Sequence, residues 1–392
     1  MPGRLLVIGA GPMGLFAALE GAGRGFDVTV LEKNEVGSAL LAWGPTRFFS
    51  PLGMNVSPQA RKAIEVALPD DEALLTGPEM TDRVLRPLAR SPMLAQRVLT
   101  RHRVIGVARL GMTRGDFAGH PLRSERPFQI LAETASGERS FEADVVLDAS
   151  GVTGRSCWMG EGGLPAAGER RLSFRIVRGL GSLEQRLLRM AGKTVLVVGH
   201  GHSAANAILR LAELCEESPQ TRITWAFRSP HRRPCAEVPG DPLPERQRVA
   251  SCANDLAAEP PAFLAVHRRA CVESLRESET RLEVALSGGR GGVFDEVVSL
   301  TGYRPDLSFL SELALEISPV TEGSAGLARA LSGVTDCLSV PRVRPESLAS
   351  GEPGFFLIGA KSYGRSRNFL IRTGLEQLES IFDGITQTSL TV

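Results

Sequence analysis

The residues that could do chemistry come in two glycine-rich groups that mirror each other. In the first, Gly9, Gly11 and Gly14 give G-x-G-x-x-G, with Pro12 and Met13 between them. The first glycine permits a tight turn, the second lets backbone approach a pyrophosphate, and the third lets a helix pack closely on a strand. Glu32, followed by Lys33, stands where an acid can accept both hydroxyls of an adenosine ribose. In the second group, Gly199 and Gly201 are followed by His202, Ser203 and Ala204, with small residues where a third glycine would fall. The residue matching Glu32 is Arg228. An acid there would repel a 2′-phosphate, whereas an arginine pairs with it, so the second site favours NADPH over NADH.

The elements that position these groups are strand–turn–helix units. Leu5–Ile8 and Thr194–Val198 are short apolar runs of the kind fully buried parallel strands show, each running straight into its glycine turn. Val28–Leu31, followed by Glu32, and Arg222–Arg228, ending in its arginine, are the partner strands. A helix start supplies free N–H groups and the positive end of a dipole to phosphates. Asp144–Asp148 is another buried strand ending in the small-residue turn Ala149-Ser150-Gly151, and Thr301-Gly302 and Ile358-Gly359 end two further runs. Val98–Leu110, Pro127–Asp148, Ala265–Ser274, Arg281–Ser287 and Val293–Leu300 read as strands, with hairpins at Ser136-Gly137 and at residues 288–292. Residues 58–95 read as mostly helical, and a helix is expected from about Asn368 to Phe382.

Residues 34–58 have no periodicity, and a loop of that length in a compact domain is usually functional. It holds Trp43, Phe48 and Phe49 in a chain with 5% aromatic residues, and Arg47 is set among them. The loop reads either as a cover on the core or as a wall around a flat ring, with Arg47 facing a negative or carbonyl group. His200 and His202 form H-x-H, but their place on a phosphate loop suits hydrogen bonding better than metal ligation.

The 392 residues are long for one core and suggest two domains. A net charge of +1 gives no global argument for nucleic acid or an anionic membrane. No apolar run approaches the ~18 residues of a membrane span, and the first strand starts too early for a signal peptide, so a cytoplasmic protein is expected. The six cysteines, at 157, 215, 235, 252, 271 and 337, include no C-x-x-C, which leaves neither an adjacent dithiol nor a zinc ribbon.

In their order, the two glycine motifs, Glu32, the segment Leu300-Thr-Gly-Tyr-Arg-Pro-Asp306 and the segment Phe355-Phe-Leu-Ile-Gly359 resemble flavoproteins with two dinucleotide-binding domains. That group includes thioredoxin reductase-like enzymes and flavin-dependent monooxygenases, and the resemblance spans essentially the whole chain. It implies an α/β fold, an FAD-binding Rossmann-like domain (1–180 and 307–392) with an inserted NADPH-binding Rossmann-like domain (181–306). It implies FAD at Gly9, Gly11, Pro12, Met13, Gly14, Glu32, Lys33, Trp43, Val104, Ser150, Gly151, Gly359 and Lys361, and NADPH at Gly199, Gly201, His202, Ser203, Arg228, Thr301 and Gly302.

The group usually has an aspartate just after the C-terminal glycine, where this chain has Ala360-Lys361. Lys361, Arg365 and Arg367 would then gather positive charge near the flavin, and Arg47 and Lys361 are the expected catalytic residues. The lack of C-x-x-C removes dithiol chemistry, and the F-x-G-x-x-x-H fingerprint of two monooxygenase subgroups is not found before Lys193. The reading this leaves is a single-component monooxygenase that oxygenates a small molecule at N, S or C with O2, through a C4a-peroxyflavin. The alternative is an NADPH-dependent reductase of a disulfide, a quinone or a protein acceptor.

Overall fold

The protein is described by a computed structural model over residues 3–389; residues 1, 2 and 390–392 of the expected first domain lie outside the described residues. Five parallel strands form the first sheet, in the order Phe355–Leu357, Val145–Asp148, Arg4–Ile8, Asp27–Leu31, Val98–Leu99. Strand Arg4–Ile8 is central and apolar on both faces, as a strand covered on both sides must be. Leu5 and Val7 face one way, into a core shared with helix Pro12–Gly23 and the last helix, Ile371–Ser389. Leu6 and Ile8 face the other way, onto the antiparallel strands Arg103–Arg109, Phe128–Thr134 and Gly137–Ala143. This two-residue alternation splits one strand between two cores. Helix Pro12–Gly23 has almost no polar face because it is sandwiched, with Leu15, Phe16, Ala17 and Ala18 all buried.

A second unit repeats the plan. Its parallel sheet runs Leu264–Arg268, Arg222–Phe227, Thr194–Val198, Glu296–Ser299, Ile176–Arg178. Val195 and Val197 pack under helices His202–Glu217 and Pro244–Ala258, while Leu196 and Val198 face the antiparallel strands Val272–Ser278, Arg281–Leu286 and Arg290–Phe294. Strand Ile176–Arg178 pairs here with Glu296–Ser299, and Met159, Ala166 and Leu172 belong to this unit's core. The chain therefore crosses over well before residue 181, where the boundary was expected.

Two expected strands are each broken in two. Val98–Leu110 turns at Arg101 (φ 58°) into a parallel strand and an antiparallel one. The run from Ala265 turns at Arg269 (φ 50°) in the same way. In each case the chain leaves the parallel sheet to start the antiparallel layer, a change of partner that the apolar pattern does not mark. Residues 58–95 hold short helices; one begins at Thr76, whose hydroxyl accepts from Glu79 N while the Glu79 carboxylate accepts from Thr76 N.

The start of the last strand of the first sheet is tied down by a fully buried charge cluster. Glu352 accepts from Arg109 Nε at 2.8 Å and from Arg123 Nε at 3.0 Å, and the Arg109 guanidinium lies 3.7 Å from the centre of the Phe128 ring. No helix among the described residues is long and apolar enough to cross a membrane.

Candidate functional site

The first glycine turn is shaped by contacts that exclude side chains. Gly9 sits at φ 103°, and a Cβ there would lie 3.0 Å from Ala149 O. A Cβ on Gly14 would overlap Gly9 O, which is the close strand-to-helix approach the motif implies. Gly11, the cap of helix Pro12–Gly23, has nothing within 4 Å of its Cβ direction. The turn therefore presents unhindered backbone at a helix N-terminus, a fit for a pyrophosphate.

Glu32 is buried at the end of its strand, and its two oxygens accept from Ala10 N at 2.8 Å and Asn34 N at 2.9 Å. Each oxygen keeps a second lone pair for a ribose hydroxyl. It opens on a cavity of about 290 Å³ that is also lined by Lys33, Val104, Ser150 and Gly151. The expected FAD residues Glu32, Lys33, Val104, Ser150 and Gly151 are thus brought together from three separate strands. Among the described residues, this cavity and the Gly11 opening are the features that fit a dinucleotide at the first unit.

Other expected residues have different tasks. Met13 is 6% exposed and packs against Gly359 and Gly374, so it joins the first turn to the last helix and does not point into the cavity. Gly359 (φ 62°) donates its N–H to Gln377 Oε1 of that helix, and Gln377 also donates to Ser362. Trp43 stacks on Phe48 at 4.9 Å between ring centres. Arg47 is exposed, donates to Leu74 O at 2.6 Å and lies 3.9 Å from Glu79. That corrects its expected setting: the carbonyl and carboxylate it faces are Leu74 O and Glu79 of the protein itself.

Lys361 is the second correction. Its side chain is 0% exposed; Nζ lies 2.6 Å from Asp148 Oδ2, 2.8 Å from Ser150 Oγ and 4.4 Å from the centre of the Phe309 ring. A buried carboxylate partners the ammonium, so the pair carries no net charge and the ammonium is enclosed by protein. No signal local to Lys361 reveals Asp148, because the pairing depends on strands Val145–Asp148 and Phe355–Leu357 lying side by side.

The second turn repeats the first. Gly199 (φ 127°) would clash with Leu300 O if it bore a Cβ, and Gly201 is open like Gly11. Fully buried Ala204 fills the third glycine's position, while Ser203 next to it is exposed. Trp225, itself fully buried, donates from Nε1 to Gly199 O at 2.7 Å and fixes the turn from beneath. Arg228 is exposed at the strand end and forms no hydrogen bond or ion pair among the described residues. Its neighbours are occupied: Arg232 donates to Ala258 O, and Arg233 binds Asp255 and Glu237. Thr301 donates to Cys157 O at 2.7 Å, and Cys157 N donates to Gly302 O at 2.9 Å, so this pair stitches the crossover to the sheet.

His202 begins helix His202–Glu217 and meets Phe49 of the first unit edge-on, 5.1 Å between ring centres. Its Nε2 is buried without a hydrogen-bond partner. Burial first, then Arg246 and Arg367, hold its pKa below the ordinary histidine value. His200 is lowered by burial, then by Arg367 and Arg228. Among the described residues no cluster of metal-ligating side chains surrounds either ring. Phe49 joins the second unit's core, and a Cβ on Gly181 would overlap Ala42 O, so the residue 34–58 loop is part of the seam between the units.

Sequence reading missed Arg246. This 6% exposed residue of helix Pro244–Ala258 grips Asp241 through Nε at 2.6 Å and Nη2 at 2.8 Å, and reaches Asp336 of the first unit at 2.9 Å. An arginine two residues inside a helix start carries no motif that would have marked it.

Residues 4–63, which carry the first turn and Glu32, match the family model described as DAO, FAD dependent oxidoreductase. The whole chain superposes on solved two-domain flavoproteins. The chain shares their fold. Bacillithiol disulfide reductase from Bacillus cereus is 20% identical, covers 99% of this chain and 100% of its own, and gives a TM-score of 0.69. The FAD-bound cadaverine monooxygenase of desferrioxamine biosynthesis from Erwinia amylovora is 14% identical, covers 98% and 94%, and gives 0.66. Thioredoxin reductase from T. acidophilum is 15% identical, covers 98% and 100%, and gives 0.59. No curated protein matches the chain by sequence. Reductases and monooxygenases thus share this fold, which supports the coarse description of an FAD-dependent oxidoreductase.

Proposed function

We propose that the protein is an FAD-dependent oxidoreductase that takes reducing equivalents from NADPH and oxygenates a small molecule with O2 as a single-component monooxygenase. One observation carries the two-cofactor reading: two glycine turns of the same build end in opposite charges. Buried Glu32 suits free ribose hydroxyls, and unpaired Arg228 suits a 2′-phosphate. FAD held at the first turn would supply the two-electron relay such chemistry needs, in which NADPH, a proton, O2 and the substrate would give NADP+, water and the oxygenated substrate.

The chain's own part is binding and exclusion. Backbone N–H groups after Gly11 and Gly201 would hold the two pyrophosphates. Glu32 would accept the ribose hydroxyls of FAD, and Arg228 would pair with the 2′-phosphate. Phe49, seated edge-on against His202, packs the seam at the start of helix His202–Glu217. Met13, buried under Gly359, offers no thiol for disulfide exchange at the first turn.

The second reading, a reductase acting on a disulfide or quinone, is favoured by the likeness to the bacillithiol disulfide reductase. Anaerobic reduction followed by air separates the two. The purified protein should be yellow, bleach with NADPH at far lower concentration than with NADH, and recolour in air within seconds as O2 is consumed. A bleached protein that stays reduced in air for minutes yet turns over a disulfide or quinone would establish the reductase and end the oxygenase reading.

A further inference from the structure

The Lys361–Ser150 contact fixes a hydrogen-bond direction. An ammonium group has protons to donate and no lone pair, so in the 2.8 Å contact the Ser150 oxygen must be the acceptor. The Ser150 proton therefore points away from Lys361. The Ser150 backbone N–H is already committed to Asp148 Oδ1 at 3.0 Å, and no hydrogen bond among the described residues uses the Ser150 hydroxyl as donor. Ser150 lines the cavity of about 290 Å³, alongside Gly9, Glu32 and Gly151. A Cβ placed on Gly9 would sit 3.2 Å from Ser150 Cα, so this residue stands against the first glycine of the phosphate turn.

We propose that Ser150 is a phosphate-binding residue of the first nucleotide site, and that Lys361 is the positioning residue that holds its hydroxyl as a donor facing the ligand. The Lys361 ammonium cannot reach a ligand itself, being enclosed by Asp148, Ser150 and Phe309. It acts through the hydroxyl, which it both orients and polarises. Asp148 cancels the buried charge, so the phosphate meets an oriented dipole and not a bare cation. The inference rests on the reading of the Gly9 turn as an FAD site.

The test uses the full apoprotein with ADP and adenosine as probes, measured by calorimetry. Ser150→Ala should weaken ADP about tenfold and adenosine less than twofold, and Ser150→Thr should keep wild-type affinity. With both buried charges removed together (Lys361→Met with Asp148→Leu), the further loss from Ser150→Ala should shrink to about threefold, because an unheld hydroxyl donates less effectively. Unchanged ADP affinity in Ser150→Ala overturns the proposal, and so does an equal loss for adenosine, which would place the hydroxyl on the ribose. Ser150→Ala leaves the buried Lys361 ammonium with Asp148 as its partner, so its melting temperature is read beside its affinities. The adenosine arm, which a general loss of folding would lower equally, keeps the result independent of the charge-free background. A wild-type protein that binds neither ADP nor FAD would refute the FAD reading itself, an outcome distinct from failure at Ser150.

Discussion

Arg246 and Asp336 meet across the seam between the two units, Nη1 to Oδ1 at 2.9 Å, while the rest of the same guanidinium grips Asp241. The turn around Asp336 is held from the other side too: Asn368, just before the last helix, donates to Val334 O, and Arg372, in its first turn, to Leu338 O. One guanidinium thus connects the helix behind the second glycine turn to the segment that completes the first unit.

Removing that link should cost stability unevenly. Arg246→Ala leaves Asp241 buried without its partner and should lower unfolding free energy by about 3–5 kcal/mol, whereas Asp336→Asn, which keeps the bidentate pair, should cost about 1–2 kcal/mol. Urea unfolding of the holoprotein measures both. Equal losses would mean that the cross-seam contact matters as much as the buried pair.

Two glycines of the first turn should fail differently. Gly14→Ala forces its methyl into Gly9 O and should destabilise the apoprotein, visible as a lower melting temperature. Gly11→Ala meets open space, so the apoprotein should melt like wild type while FAD affinity falls by about a hundredfold. A Gly11→Ala protein with normal flavin content would show that the ligand does not approach there.

Arg228→Glu should invert the choice of reductant. Losing a charge-assisted pair worth about 1.5–3 kcal/mol and adding repulsion should cut kcat/KM for NADPH by about a hundredfold. The value for NADH should change little. Steady-state oxidation of both nucleotides decides it, and an unchanged preference would move the 2′-phosphate away from this strand end.

Acid should weaken the fold through groups whose pKa values are lowered in the native state. Burial alone would raise Glu352, but Arg123 and Arg109 outweigh it and hold the carboxyl below its ordinary 4.5. Its stabilisation is complete above the unfolded value and is lost as pH falls from about 4.5 through the lower native value. His202 is also lowered, from 6.5, so the unfolded chain takes up its proton first and stability declines as pH drops below 6.5. Glu352→Gln should flatten the lower part of a stability–pH curve and His202→Gln the upper part. A wild-type curve flat from pH 7 to 4 would contradict both.

The parts of the fold legible in the sequence were those written in neighbouring residues. A glycine turn, the strand before it and the acid or arginine ending the next strand lie within one strand–helix–strand unit, so the places of Glu32 and Arg228 at the strand ends could be read directly. Residues whose roles depend on distant partners could not. Lys361 looked like a cation available to a ligand because nothing near it names Asp148. Met13 looked exposed to the cofactor because Gly359 and Gly374 reach it only when the last helix docks. Ile176–Arg178 is three residues long and lies in an arginine-rich crossover, too short for any periodicity to show which sheet it joins.

Trp225 has a use beyond holding the turn. Its indole is fully buried and donates directly to the Gly199 carbonyl, so any ligand that pulls on that turn perturbs a chromophore in contact with it. Occupancy of the second site should be readable from intrinsic ultraviolet emission without a label, and Trp225→Phe should silence that signal while Trp43 and Trp158 continue to emit.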